Sequence, residues 1–426
     1  MKNNGLERVK ETLDNRIITK LKYVSSINGR IGFRGYTQND LVDEGDGAIT
    51  ISPSNIKGMN TDFSKCTYVS WYKYNESPEI KVCKGDIILV KTGSSYGKSA
   101  LIQNLPQPAT INPQLVVLKD IKINKKILFY FLQTDFVKRQ MDLAVIGGAI
   151  PTMTQVKIGN TILILPPISE QKVIAEFLDK KCGEVDALIA DIQQEIETLE
   201  QYKRSVITEA VTKGLDPSVP MKDSGIQWIG NMPANWECIR GKYILKYLQK
   251  PVKKDDGVIT CFRDGEVTLR SNRREDGFTM ADKEIGYQGV DIGDLVVHGM
   301  DGFAGAIGIS DSRGKASPVL NVLGTKQNKR YIMYYLRSMA YSDVFMALST
   351  GIRVRSCDLR WNKLAELWYP IPPLKEQEKI VTYIDETIQK ANEIIADKQS
   401  QIETLESYKK SLIFEYVTGK KEIIVQ

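Results

Sequence analysis

The sequence predicts an α+β protein in which two mixed α/β domains alternate with two long helices, the helices packed as an antiparallel coiled coil with a pseudo-two-fold internal repeat. Three observations carry this expectation. The chain is written twice, each copy holds a sustained heptad pattern, and the segment ahead of each heptad run alternates short apolar strands with glycine-rich turns. At 426 residues, 42% hydrophobic and 26% charged, the chain is long enough for two or more domains with their own cores. The net charge of +6 permits a polyanionic partner without demanding one.

The first domain is expected over residues 1–165. Its opening, "MKNNGLERVKETLDNR", lacks the apolar core of a signal peptide. No apolar run in the chain approaches the roughly 20 residues of a membrane span. The six cysteines are scattered without a C-x-x-C pair, which argues for reduced thiols in the cytoplasm and against a disulfide frame or zinc site. His298 is the single histidine, so H-E-x-x-H metal chemistry is excluded and a histidine-based nuclease or hydrolase is argued against.

"TGSSYGKSA" (92–100) follows the apolar run "DIILV" and imitates a phosphate-binding loop, G-x-x-x-x-G-K-[ST]. Thr92 stands where the first glycine belongs. The stretch "KGDIILVKTGSSYGKSALI" (84–102) also matches "IGDLVVHGMDGFAGAIGI" (292–309), where Asp301, Gly305 and Ala306 replace Gly93, Gly97 and Lys98. Only the glycine between two strands persists, as a hairpin turn requires. "INPQL" (111–115) lacks the second proline and aromatic of an amino-methyltransferase loop. Glu79 and Lys81 form an E-x-K with aspartates upstream, a metal-nuclease pattern that recurs by chance in a lysine-rich chain and has no counterpart in the second half. All three are read as structural.

The first long helix is expected over 166–212 and the second over 371–419, joined through a Gly/Pro-rich linker and entry segment (213–237) and the second domain (238–370). "LPPISEQ" and "IETLEQYKRS" recur as "IPPLKEQ" and "IETLESYKKS" at an ungapped offset of 206 residues, and 22 of the 47 positions from Pro166 to Thr212 are repeated. Leu178, Val185, Ile192, Leu199 and Val206 recur every seven residues, with Cys182, Ile189 and Ile196 four later. The second copy repeats the seam with Ile384, Ala391, Leu405 and Leu412, and with Ile388, Ile395 and Ile402. Lys398 interrupts it, and Lys203 and Lys409 occupy equivalent seam positions, polar breaks of the kind that fix register. A solvated linker helix would not carry such a stripe; the nearest surface able to bury it is the other copy.

Basic and aromatic residues around the turns point to nucleic acid. In the first domain these are Arg30, Arg34 and Tyr36 in "GRIGFRGYTQND", with Lys57, Lys91 and Lys98. In the second they are Arg270, Asn272, Arg273 and Arg274 in "LRSNRRED", with Arg353 and Arg355 in "GIRVRS". Arginine reads guanine edges and asparagine reads adenine, although most surface arginines meet phosphate or solvent. His298 is expected to be structural or DNA-facing.

The Pro-Pro-x-x-Glu-Gln entry into a helix ending "ETLEQYKRSVITEAVTKGLD", together with "DSGIQWIGNMPANWE" (223–237), resembles the specificity subunits of type I restriction–modification enzymes, and the likeness runs along essentially the whole chain. The first domain has no copy of "DSGIQWIGNMPANWE" before it, so the chain either starts late or its two-fold symmetry is imperfect there. The resemblance implies a non-catalytic subunit whose two target-recognition domains each read half of a split, asymmetric DNA site. It also implies that the helices set the gap and dock two methyltransferase subunits, with restriction–translocase subunits joining them. S-adenosylmethionine, ATP and Mg²⁺ would then belong to those partners and none to this chain. The alternative is a two-domain scaffold that binds proteins and reads no DNA; only the DNA reader would lose affinity steeply with salt.

Overall fold

The computed structural model describes residues 16–145, 150–273, 285–348 and 359–423. The chain forms two compact units, Met1–Ile192 with Ser400–Gln426, and Gln193–Gln399. Each holds one mixed domain and a stretch of both long helices.

In the first unit the central sheet has strand order β2 (Ser26–Gly29), β9 (Leu115–Lys119), β6 (Ile87–Val90), β7 (Ser99–Leu101), with every pair antiparallel. The "IILV" run is apolar throughout because both faces of β6 are covered. Ile87 and Leu89 enter one core with the helices, while Ile88 and Val90 enter a second core against another sheet. That second sheet has order β8 (Ala109–Ile111), β4 (Gly47–Ile51), β5 (Tyr68–Ser70), β3 (Leu41–Val42), with β8 parallel to β4. A two-stranded ribbon, β1 (Ile17–Lys20) against β10 (Ile162–Leu165), leads into the long helix α3 (Ile168–Lys213).

The second unit repeats the central sheet in the same order: β12 (Leu245–Tyr247), β19 (Leu320–Thr325), β16 (Leu295–His298), β17 (Ile307–Ile309). Its outer strands pair differently, as β13 (Ile259–Cys261) with β14 (Val267–Leu269) and β15 (Gln288–Val290) with β18 (Gly314–Ala316). The ribbon recurs as β11 (Glu237–Arg240) with β20 (Trp368–Ile371), ahead of the long helix α5 (Leu374–Val417). The shared Gly-Asp turn has one cause in both units. Asp86 accepts the Cys83 N–H at 2.9 Å and Asp294 accepts the Asp291 N–H at 2.9 Å, so each carboxylate closes the turn that starts the central strand.

The helical spacing over 126–141 resolves into two helices, α1 (Lys125–Leu132) and α2 (Asp135–Ala144). Thr134 ends the first by bonding the Phe131 carbonyl at 2.7 Å and caps the second through the Val137 N–H at 3.4 Å. Its counterpart α4 (Lys329–Tyr341) is a single helix, followed by a short helical turn, Val344–Ala347, whose N-cap Asp343 has a φ of +55°.

The long helices run antiparallel within each unit. In the first, Phe177 meets Tyr416 at 4.5 Å between rings and Asp186 holds Lys409 at 2.6 Å. In the second, Glu195 pairs with Lys398, and the opposite end of α3 reaches Glu376, close to Gly214. Leu178, Val185, Ile192, Ile384 and Ile402 are buried; Ile189, Ile196, Leu199, Ile388, Ile395 and Leu405 are half-buried. Lys398 and Lys409 therefore interrupt the seam without being left unpaired. These bridges reach solvent-exposed carboxylates and add at most about 1 kcal/mol each, so apolar burial dominates.

Replacing Leu178, fully buried against both the first domain and α5, with alanine is expected to cost about 2–5 kcal/mol in a denaturant titration. The same change at Leu188, on the same helix but 47% exposed, should stay within about 0.5 kcal/mol. Equal effects at the two positions would contradict the assigned seam.

Candidate nucleic-acid interface

In the first unit residues 91–98 form the turn between β6 and β7, bridged to the backbone of residues 151–153. Val90 and Lys98 pair through Val90 N–H to Lys98 O at 2.8 Å, and Gly97 N–H reaches Val90 O at 2.9 Å. Gly93 and Gly97 adopt φ of +100° and +84°, conformations a side chain would strain. Strand β7 follows, where a phosphate loop requires the N-terminus of a helix to gather its N–H groups. The stretch is a hairpin.

Lys91 sits at the base of that hairpin. Its backbone is locked on both sides, by N–H to Gln114 O at 2.8 Å and by C=O to Met153 N at 2.8 Å. Gln114, whose carbonyl takes that bond, immediately precedes β9, next to the register pair Leu115–Val90. Asn112 holds the Gln114 side-chain carbonyl at 3.2 Å. Lys91 is half-buried, and that burial draws its ammonium below the ordinary lysine range. Among the described residues no ion pair involves it. Gln114 belongs to "INPQL", read from sequence as structural; its exposure at the hairpin base had no signal in the motif.

The remaining first-domain candidates divide. Lys57, in the short hairpin 56–61, and Lys98 are exposed. Arg34 lies 3.6 Å from Glu79. Arg30, expected to face DNA, is 5% exposed and committed to the fold: it donates to Ile111 O, Arg34 O and Thr110 Oγ1 and lies over the Tyr36 ring at 5.3 Å. Its guanidinium pKa is lowered by burial.

In the second domain Arg270 bonds Thr260 Oγ1 at 3.4 Å and Asn272 bonds Thr268 Oγ1 at 2.9 Å. Arg273 is held by Asp264 at 2.6 Å and Glu266 at 3.1 Å and stacks over Phe262. Arg274, Arg353 and Arg355 lie outside the described residues. The structure adds a cavity of about 660 Å³ between this domain and the long helices, lined by Lys203, Arg204, Arg263 and Arg337 among others. None of Arg204, Arg263 and Arg337 stood among the DNA candidates: Arg204 sits within the repeated helical stretch "IETLEQYKRS", and three distant segments bring the arginines together. Arg337 is structural, donating to Ile307 O and Gly265 O at 2.8 Å each.

His298 is a turn staple. Its Nδ1 accepts the N–H groups of Met300 at 3.2 Å and Asp301 at 2.9 Å, which requires an unprotonated Nδ1. Desolvation lowers its pKa from the usual 6.5; Asp301 opposes the shift and Arg263 adds to it. Among the described residues no group of three His, Cys, Asp or Glu is placed to hold a metal ion, and no helix is long and apolar enough to cross a membrane.

The fold and the paired domains find counterparts among known proteins. The family profile "Type I restriction modification DNA specificity domain" matches residues 55–198. The MjaVIII type I restriction enzyme specificity subunit of Methanocaldococcus jannaschii is 25% identical over 383 residues, covering 85% of each chain. The StySPI specificity subunit of Salmonella potsdam is 21% identical, covering 87% of this chain and 81% of that one. A chain from a solved structure concerned with complex assembly and conformational transition of the type I R-M system shares the fold. Its TM-score is 0.64 over 96% of this chain and 98% of its own, at 15% identity. Family match, relatives and fold agree in one direction: this chain is similar to the DNA specificity subunits of type I restriction–modification systems. Such a subunit is a non-catalytic part of the type I complex.

The folded state holds His298 neutral with a lowered pKa, so the unfolded chain binds its proton first as pH falls. Its contribution to stability is complete above about pH 6.5 and is lost as pH falls below that value towards the folded pKa. Unfolding midpoints measured from pH 8 to pH 5 should decline over that window, and His298→Asn should flatten the slope there. An unchanged slope would show that His298 is not the group responsible.

Proposed function

We propose that each mixed domain reads one half of a bipartite, asymmetric DNA site, while α3 and α5 set the gap between the halves and dock two methyltransferase subunits. Restriction–translocase subunits then join the assembly, and S-adenosylmethionine, ATP and Mg²⁺ act on those partners. The observation that carries this reading is a repeated central sheet bearing unlike outer strands and turns, on helices whose seam repeats at one offset. Two readers built on one plan but differing at their edges suit two different half-sites. The domains are taken as residues 1–165 and 238–370, joined through helices 166–212 and 371–419.

Lys91, Lys57 and Lys98 are the first domain's candidates for DNA contact, with Gln114 beside Lys91; Arg30 supports the same face from within. In the second domain Arg270, Asn272 and Arg273 supply the described candidates. Lys91→Ala should weaken binding of a cognate duplex and reduce the slope of log affinity against log salt by about 1 if it meets a phosphate. Arg30→Ala should instead lower the unfolding midpoint. A Lys91→Ala variant with wild-type affinity and slope would remove it from the interface.

The spacing role is tested by adding one heptad to each helix, next to Glu195 and next to Lys398. Seven residues keep the seam in phase and lengthen it by about 10 Å. That is close to three base pairs at about 3.4 Å each. Mapping of modified bases with the methyltransferase subunits present should return the same half-sites with a longer gap. An unchanged gap with both half-sites still read would defeat the spacer role.

A further inference from the structure

Each long helix begins with the same buried joint. Gln171, the last residue of "PPISEQ", is 1% exposed, and Gln377, its copy in "PPLKEQ", is 0% exposed. The Gln171 carbonyl accepts the Asn124 N–H at 2.9 Å, and its amide donates to Pro166 O at 3.0 Å. Gln377 accepts the Asn328 N–H at 2.9 Å and donates to Pro372 O at 2.8 Å, with a further bond to Gln327 Oε1 at 2.7 Å. Asn124 and Asn328 are themselves the N-caps of α1 and α4. One side chain therefore ties the first residue of a domain helix to the corner where the strand ribbon becomes the long helix.

A second tie lies two turns along. Tyr130 donates to Asp179 at 2.7 Å and Lys126 pairs with the same carboxylate. Tyr334 donates to Asp385, which Arg330 also holds at 2.6 Å. The two attachments are eight residues apart on the long helix, about 12 Å. Two separated points fix an angle where one would leave a hinge. Neighbouring positions have diverged (Ser169 against Lys375, Lys172 against Glu378, Val173 against Lys379), while the glutamine and its full bonding pattern recur in both halves.

We propose that Gln171 and Gln377 are positioning residues that fix the angle between each mixed domain and its long helix, and so decide which gap between half-sites is accepted. This rests on the spacer reading above. Both ends of the amide are needed. A glutamate would present an oxygen to Pro166 O or Pro372 O, and methionine would fill the volume without either bond, leaving an N–H and a C=O unsatisfied in a dry site.

The test uses the full chain with its methyltransferase subunits and compares duplexes bearing the mapped half-sites at the native gap and at gaps one base pair shorter and longer. Gln171→Met and Gln377→Met should each erode the preference for the native gap by about fivefold or more, the weight of a hydrogen bond lost from a buried site. The bases preferred within each half-site should stay the same. Should a methionine variant not fold, Gln171→Asn and Gln377→Asn keep both functional groups, are one methylene too short, and should erode the preference in the same direction. Affinity that falls equally at all gaps marks a merely structural role and overturns the inference. A wild-type complex that binds all gaps alike overturns the spacer reading with it, whereas a wild-type preference untouched by the variants overturns the inference alone.

Discussion

An apolar stripe sustained through a helix of more than forty residues has to be covered, and in this chain each long helix supplies the cover for the other. Leu178, Val185 and Ile192 on α3 and Ile384, Ala391 and Ile402 on α5 are all buried. The mixed domains close the ends: residues such as Ile174 and Leu178 belong to the core that also contains β6 and α1, and Ile380 and Ile384 to the core that contains β16 and α4. A change in the seam is therefore felt in a domain core.

The polar insertions in the seam have local answers. Lys409 reaches Asp186 across the helices, while its counterpart Lys203 turns to Glu200 on its own helix, because the residue equivalent to Asp186 is Asn392. The two halves thus share an apolar pattern and differ in their charged pairing. The same division runs through the domains, where the central sheet is common and the outer strands are not.

Repetition made the architecture readable. The heptads, the Pro-Pro entries and the matched Gly-Asp turns each occur twice, and a pattern seen twice at one offset leaves little for propensity to decide. What escaped the sequence was what depends on side-chain direction. Arg30 and Tyr36 sit in a basic, aromatic stretch that suits DNA, yet the arginine turns inward to Ile111 O and Thr110. Gln114 was hidden in a stretch that reads as a turn, and Arg204 and Arg263 share a cavity only because α3 and the second domain's hairpins meet there. The glutamine of the Pro-Pro motif was visible as a repeated letter; its partners, Asn124 and Asn328, lie 47 and 49 residues away, and no periodicity links such positions.

The staple formed by His298 has one more consequence. It is the chain's sole imidazole, and imidazole is the side chain whose ordinary titration falls nearest neutrality. With that group kept uncharged by the turn it closes, the surplus of lysine and arginine over acidic residues stays constant across the neutral range. The long-range pull this subunit exerts on a polyanion is then insensitive to modest acidification.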